Sequence, residues 1–164
     1  MPRRSISGIA CALLLIGPAA ADVVVTQGTN FGVDVNPRDG RVAMDLMGMI
    51  WVLPARGGQA QIMTDGLTRA QKPRWSPDGS QILYQTNSPD GARLWLLDVE
   101  SSVASSIGTV SNFDQHGTWH PDGERILFSS DRRDTGFDIW ETDLPTGLSW
   151  RISAHPGDEV EPAW

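Results

Sequence analysis

Cysteine and tyrosine are scarce, with one of each among the 164 residues. The single cysteine, Cys11, cannot form an intrachain disulfide, and a cysteine-ligated zinc centre is excluded as well. Basic residues are outnumbered, since 13 Lys and Arg face 20 Asp and Glu and give a formal net charge of −7. Because nonspecific nucleic-acid binding requires basic surface that replaces phosphate counterions, the composition argues against a nucleic-acid partner.

A long apolar run is also missing, and a transmembrane helix needs about 20 apolar residues. The opening "MPRRSISGIACALLLIGPAAAD" instead combines a basic start at Arg3 and Arg4 with a short apolar middle and small residues that end at Ala21. This pattern predicts an export signal over residues 1–21 that is cleaved after Ala21. The mature chain, residues 22–164, would then have no membrane span and would be periplasmic or secreted.

Other interpretations of the opening remain. The segment could stay uncleaved as an anchor, or Arg3 and Arg4 could belong to a twin-arginine signal, although Pro2 and the serines that follow fit that signal poorly. Cys11 could carry a lipid, but Gly8 stands where a lipid-attachment motif prefers a larger aliphatic residue.

Motifs of catalysis are missing too. The sequence has no Gly-x-Ser-x-Gly elbow, no His-Glu-x-x-His helix and no phosphate-cradling glycine loop. We therefore predict no catalytic residue, no cofactor and no metal ligand within this chain. His116 and His120 are four residues apart, but along a strand that distance is about 13 Å, too far for one metal ion. His155 lies in "AHPGDE", where a loop contact at the rim of the fold is the functional alternative.

Two further features are candidate surface contacts. The stretch "SSDRRDTGFD", residues 129–138, concentrates Asp131, Arg132, Arg133, Asp134 and Asp138. Since the arginines interrupt the alternating acidic pattern of a calcium loop, we interpret the stretch as a solvated hairpin loop, with a binding contact as the alternative. Trp150 falls outside the register of the other tryptophans, which predicts exposure.

What the sequence does contain is a repeat. The stretch "KPRWSPDGSQILYQTN", residues 72–87, returns as "TWHPDGERILFSSD", residues 118–131. One series of tryptophans falls at Trp75, Trp119 and Trp164, with Val35 in the corresponding place of a weaker first copy; the other falls at Trp51, Trp95 and Trp140. Both series have intervals of 44 and 45 residues, and such a period is typical of repeat architectures.

Within each copy, short apolar segments are separated by turn signals. In "SPDG", proline and aspartate suit the central turn positions and Gly79 supplies a positive φ, as Gly123 does in the next copy. We therefore expect valine to be more damaging at Gly79 or Gly123 than at Gly91. The segments predict strands over residues 73–76, 81–86, 94–99 and 103–108, and their continuous apolar runs indicate that both faces of the sheet are covered.

A repeat of about 44 residues with four short strands predicts an all-β fold, a partial β-propeller of four-stranded antiparallel blades. We place the blades at about residues 28–71, 72–115 and 116–160, with the start of a fourth at 161–164. A β-sandwich is the main alternative. Because propellers close with about four to eight blades, we expect the reading frame to continue past Trp164. We also expect the "ILF" and "DIW" face of the last complete blade to be exposed and to promote association.

These repeats resemble those of TolB-like propellers, which are related in shape to WD repeats. The resemblance covers about residues 28–164 and implies that Trp75, Trp119 and Trp164 lie close to the central channel. The first copy departs from the pattern, because "NPRDG" places Gly40 one residue later than "SPDG" would. The segment directly after the signal resembles the propeller that precedes the catalytic domain of exported amidohydrolase-like proteins and, less closely, the propellers of tricorn-type peptidases.

These features together predict an exported, non-catalytic propeller module that scaffolds or gates access to a protein partner or a downstream domain. One alternative is the amino-terminal propeller of an amidohydrolase-like or peptidase-like hydrolase whose catalytic domain lies beyond residue 164. Another is an envelope-interaction protein of the Tol-Pal kind. The sequence does not identify a small-molecule ligand.

Overall fold

The computed structural model describes residues 31–89, 91–108, 112–133, 136–153, 155 and 157–164. The predicted signal at residues 1–21, with Cys11, lies outside these ranges. The described residues form twelve β-strands. None of them belongs to a helix of the length and apolar character that a membrane span requires.

The strands form three antiparallel sheets of four, and each sheet follows the order of the chain. Blade 1 contains β1 (Val33–Val35), β2 (Val42–Leu46), β3 (Met49–Leu53) and β4 (Gln61–Ile62). Blade 2 contains β5 (Ala70–Trp75), β6 (Gln81–Ser88), β7 (Gly91–Asp98) and β8 (Ala104–Ile107). Blade 3 contains β9 (Asp114–Trp119), β10 (Arg125–Ser130), β11 (Asp138–Asp143) and β12 (Ser149–Arg151). The predicted all-β fold of four-stranded antiparallel blades is confirmed.

Three strands of blade 2 are longer than the sequence predicted, whereas the fourth, β8, is shorter than the predicted 103–108. The β6–β7 hairpin stays paired as far as Ser88 and Gly91, because Gly91 has a φ of 146° that lets the chain reverse there. At the same end of the sheet, β5 begins at Ala70, which pairs with Thr86, because a bulge between Gln71 and Arg74 allows pairing with β6 to resume upstream of the irregularity.

The repeated turns have the predicted geometry. Gly79 and Gly123 have φ values of 74° and 76°, and their amides donate to the carbonyl oxygens of Ser76 and His120 at 2.9 Å. The first copy differs as expected, since the Gly40 amide bonds to a carbonyl four residues earlier.

Gly91 contradicts the expectation that it would tolerate valine better than these turn glycines. Its φ is also positive, and a Cβ there would lie 2.9 Å from the carbonyl oxygen of Asn112. Substitution at Gly91 therefore carries both backbone strain and a steric overlap.

Apolar side chains pack between consecutive blades in two clusters. Blades 1 and 2 share one cluster, Ala43, Ile50, Val52, Met63, Ala70, Trp75, Ile82, Tyr84 and Leu97, and blades 2 and 3 share the other, Leu83, Leu94, Trp119, Ile126, Phe128 and Trp140. In the middle blade, Ile82 and Leu83 are adjacent in sequence and are 0% and 1% exposed, so both faces of β6 are covered. This confirms the expectation from the continuous apolar runs.

The predicted exposed face of blade 3 is wrong. Ile126, Phe128 and Trp140 face blade 2 and pack in the second cluster, and Leu127 is only 7% exposed. Blade 3 instead exposes apolar residues around its last strand, at Leu148, Trp150 and Ile152. On the first strand of a blade, apolar residues are exposed in blade 1, where the β1 residues Val33 and Val35 are 43% and 55% exposed. It would therefore be blade 1 that promotes association.

Candidate functional site

The first strands of blades 2 and 3, β5 and β9, contact each other and line a groove of about 490 Å³. Phe31 and Gly32, which precede β1, Asp45 of β2 and residues 161–163 complete the lining. We call it the axial groove. A concavity of this size is typical of ligand sites. Its ionisable lining residues are Asp45, Lys72, Arg74, His116 and Glu161.

Three of these side chains occupy the same unusual backbone position. Lys72, His116 and Glu161 have φ values of 53°, 57° and 57°, in the left-handed region that non-glycine residues rarely adopt. Each lies three residues before a tryptophan of the repeat, so they keep its spacing. Such a conformation costs about 1–3 kcal/mol and often marks functional sites, where the surroundings hold it in place.

Hydrogen bonds from the preceding blade hold this conformation. The Lys72 amide donates to Asp45 Oδ2 at 2.6 Å, and the His116 amide donates to Gln85 Oε1 at 3.1 Å. Asp45 and Gln85 are equivalent, since each directly follows the residue of the second strand that pairs with the second repeat tryptophan. Each blade thus fixes the inner strand of the next one.

The third blade departs from this arrangement. Ser129 occupies the position of Asp45 and Gln85, directly after the partner of Trp140. Its Oγ is buried and makes no hydrogen bond with any described residue. A serine side chain is shorter than aspartate or glutamine, so the bond that holds Lys72 and His116 has no counterpart here.

The electrostatics of the groove centre on His116. Burial, reinforced by the positive charge of Lys72, lowers the pKa of His116, whereas Glu161 acts in the opposite direction. The two closest atoms of the latter pair, His116 Nε2 and Glu161 Oε1, are 4.0 Å apart. At neutral pH the imidazole is therefore mainly uncharged.

The β5 side of the groove is cationic. Lys72 and Arg74 are both exposed and line the groove, and neither makes an ion pair with a residue that the structure describes. Glu161 lines the groove as well and carries the opposite charge. The site can therefore attract charged groups of a ligand, and its β5 side favours anions.

The three histidines lie where the sequence placed them, but only one reaches the groove. His116 is in β9, and His120 is in the following turn, where it contacts Asp122 at 2.8 Å and Arg125 at 2.9 Å. His155 is exposed, and its proposed rim contact stays a prediction. Within the described ranges, no three metal-binding side chains converge on one point.

The interpretation of residues 129–138 as a solvated loop is wrong at several positions, since Ser129 and Ser130 belong to β10 and are fully buried. Arg132 forms an ion pair with the buried Asp114 at 2.7 Å and lies over the Trp140 ring at 4.8 Å. Asp138 is 6% exposed and pairs with Arg151 at 2.9 Å. These charges stabilise blade 3, and Asp134 lies outside the described residues.

The repeat tryptophans, which the resemblance placed close to the central channel, do not line the axial groove. Trp75 and Trp119 end strands that line the groove, but their rings are 5% and 8% exposed and pack between the blades. Trp119 Nε1 donates to the Arg74 carbonyl at 3.0 Å. Trp164 is 51% exposed and meets His120 edge to face. Trp150 is 41% exposed, as its position outside the register predicted.

Sequence reasoning missed Lys72 and Glu161 as site residues. The available signal was their place three residues before Trp75 and Trp164, where polar residues of changing type occur at a fixed point of an otherwise similar repeat. His116 also lies three residues before a repeat tryptophan, whereas His120 does not, so the same signal could have distinguished His116 as a site residue.

Solved structures with the same architecture include two TolB proteins and a protease. The putative TolB from Agrobacterium tumefaciens has a TM-score of 0.61 and 17% identity over 81% of this chain and 65% of that one. TolB from Acinetobacter baumannii has a TM-score of 0.57 and 20% identity over 64% of this chain and 26% of that one. The tricorn protease has a TM-score of 0.59 and 14% identity over 81% of this chain and 13% of that one.

These similarities show the fold, a β-propeller of the TolB kind, and the implied TolB-like architecture is confirmed at that level. The chain spans less than two thirds of the length of either TolB structure. No family model matches the sequence, and no curated protein is similar to it.

Proposed function

We propose that this chain is the propeller module of an exported protein, that it binds a protein partner through the axial groove, and that it performs no catalysis itself. The observation that carries the proposal is the set of left-handed residues Lys72, His116 and Glu161 on the walls of one groove. Fold stability alone gives no reason to place three ionisable side chains at strained positions around an open cavity. The basic start, apolar middle and small residues of the opening segment support export.

A second candidate is a propeller that gates access to the catalytic domain of a larger hydrolase. Two observations favour it: the similarity to the tricorn protease and the resemblance of the first copy to propellers of amidohydrolase-like proteins. A protein of the Tol-Pal kind would be one form of the first candidate, favoured by the two TolB structures.

Site-specific photo-cross-linking in the cells that produce the protein would test the proposal. A cross-linking residue replaces Lys72 in the groove, and a matched control replaces Leu67, which is 88% exposed and does not line the groove. We expect a discrete adduct with a second protein from position 72 and none from position 67.

The same experiment separates the candidates. A cross-link from position 72 to another part of a longer version of this chain would favour the gating role. Identical products from both positions, or none, would overturn the interaction proposal.

Mass spectrometry of the exported product should find Asp22 at its amino terminus, and an intact opening segment would contradict export by cleavage.

A further inference from the structure

We propose that the axial groove recognises an acidic segment of extended peptide through Lys72, Arg74 and His116, in competition with the carboxylate of Glu161. This inference rests on the proposed function and specifies the chemistry of the partner. It begins from an imbalance of charge. Acidic residues outnumber basic ones in the chain by 20 to 13, yet two cations without an ion-pair partner among the described residues share one concave surface. The Asp45 carboxylate also lines the groove, but it accepts hydrogen bonds from the amides of Gly32 and Lys72, whereas the two exposed cations of β5 can attract ligands of the opposite sign.

The backbone that carries the two cations is held in place before any ligand arrives. The backbone at Lys72 is fixed by the bond to Asp45, and the carbonyl of Arg74 accepts the bond from Trp119 Nε1. Pro73, between them, is fully buried. The backbone that carries both charges therefore loses little freedom on binding, which favours affinity.

The spacing of the cations favours a peptide over a small anion. Lys72 and Arg74 both line the groove and are two residues apart on β5, across the bulge, so their charges lie at two separate points of one wall. Alternate side chains on one side of an extended peptide are about 7 Å apart and can likewise reach two separate points. A segment with acidic residues at alternate positions could therefore place one carboxylate on each cation.

His116 gives the groove a third point of recognition. The Glu161 carboxylate lies 4.0 Å from Nε2, beyond hydrogen-bonding distance, and Nδ1 is buried without a partner among the described residues. Two charged groups affect the pKa of this ring, Lys72 on β5 and Glu161. Gln85 on β6 binds only the backbone amide of His116. A ligand carboxylate at this point would favour the protonated imidazole, so binding should take up a proton and strengthen as the pH falls from 7.5 to 6.

Calorimetry on the mature chain with synthetic peptides tests the proposal. The probe is a capped pentapeptide of alternating glutamate and serine. The control peptide has glutamine in place of glutamate, and glutarate tests a small dicarboxylate. We expect measurable, salt-sensitive binding of the glutamate peptide, at least tenfold weaker binding of the glutamine peptide, and at least tenfold weaker binding of glutarate.

Variants locate the binding site. Lys72→Gln and Arg74→Gln should each weaken binding of the glutamate peptide about tenfold, while Arg56→Gln, at an exposed arginine outside the groove, should leave it unchanged. Glu161→Gln removes the competing carboxylate and should strengthen binding about threefold or more. Thermal melting of each variant checks that the fold is intact, and Glu161→Gln tests the idea through a gain that misfolding could not produce.

Several results would overturn the inference: equal affinity for the glutamine peptide, equal affinity for glutarate, or unchanged binding in both cation variants. A cross-linked protein partner at position 72 together with failure of the acidic peptide would reject this inference and leave the proposed function standing. Failure of both experiments would reject both.

Discussion

Gly79 and Gly123 occupy equivalent places in consecutive turns and have nearly the same φ. They differ in their surroundings. A Cβ at Gly79 would overlap the side-chain oxygen of Asn36, whereas a Cβ at Gly123 would lie 3.7 Å from its nearest neighbour, Pro77. Asn36 Nδ2 also donates a buried hydrogen bond to the Gly79 carbonyl at 3.0 Å, which links the turns of blades 1 and 2.

We therefore expect Gly79→Ala to be more destabilising than Gly123→Ala. Both changes place a side chain in the left-handed region at a cost of about 1 kcal/mol. Only Gly79→Ala also displaces Asn36 and breaks its buried bond, which adds about 1–3 kcal/mol. Urea unfolding of the two variants measures the difference, and equal losses would contradict the contact between the turns.

His116 should make stability depend on pH. Its pKa is lower in the folded chain than the ordinary value of about 6.5, so the unfolded chain binds the proton more readily. This contribution to stability is complete above pH 6.5 and is lost as the pH falls through 6.5 toward the folded pKa. His116→Gln should reduce the loss of unfolding free energy between pH 7 and pH 5, measured by urea unfolding at each pH. The same change at the exposed His155 is the control, and an identical pH dependence in both variants would contradict the burial effect.

At the scale of single residues, the sequence predicted the turn glycines and the strand position of His116. It did not predict that His116 faces the groove, because the alternation of side chains in a strand assumes extended residues. A left-handed residue breaks that alternation, and nothing in the type of Lys72 or Glu161 favours the left-handed region.

Among the strands, the second of each blade has a role that its apolar pattern does not reveal. In β2 and β6, Asp45 and Gln85 bind the inner strand of the following blade, whereas Ser129 in β10 is buried without a hydrogen-bond partner among the described residues. Three equivalent strands thus differ in how firmly they hold their neighbour.

Alanine at these positions should therefore have opposite consequences. Gln85→Ala deprives the His116 amide of its acceptor and should cost about 1–3 kcal/mol. Ser129→Ala removes a buried hydroxyl without a partner and should leave stability unchanged or raise it. Thermal unfolding of both variants provides the comparison. A loss at Ser129 as large as that at Gln85 would show that the serine has a partner.

The strands themselves were largely predictable, since short apolar runs and turn signals located all four in blade 2. Their ends were not, because the bulge after Gln71 and the turn at Gly91 extend the pairing beyond the apolar residues. The hydrogen bonds between blades could not be predicted from the sequence either, because they join residues about 27 to 31 positions apart that share no sequence pattern.

Seen as a whole, the described chain has different end faces. Blade 3 buries the apolar residues of β10 and Trp140 but exposes Trp150 on β12, while β1 exposes Val33 and Val35. Val35 occupies the place that Trp75 and Trp119 fill between the later blades. An apolar surface at a position that elsewhere packs on a neighbouring blade should promote association.

We expect residues 22–164 to self-associate in a concentration-dependent manner through blade 1. The double change Val33→Lys and Val35→Lys should shift the protein toward the monomer, because two charges oppose burial of this face. Leu67→Lys, at an exposed site away from β1, is the matched control. Size-exclusion chromatography with light scattering measures the outcome, and a wild-type monomer at every concentration would contradict it.

The architecture of the molecule followed from the period of the repeat alone, because two independent tryptophan series kept the same spacing. The position of the exposed apolar face could not be predicted from that period, because the choice between blade 1 and blade 3 depends on which side of each sheet meets its neighbour. Short runs such as "ILF" are apolar on both sides and leave that choice open.

At the left-handed positions of the inner strands, the backbone serves the fold, and the side chain can determine which ligand binds. Lys72 and His116 are held by bonds to their backbone amides, so the fold does not require a particular side chain at either point. Glu161 adds a third residue type at the equivalent left-handed position. A duplicated blade could thus diversify at this one position, and a new specificity could evolve by single substitutions while the scaffold is conserved.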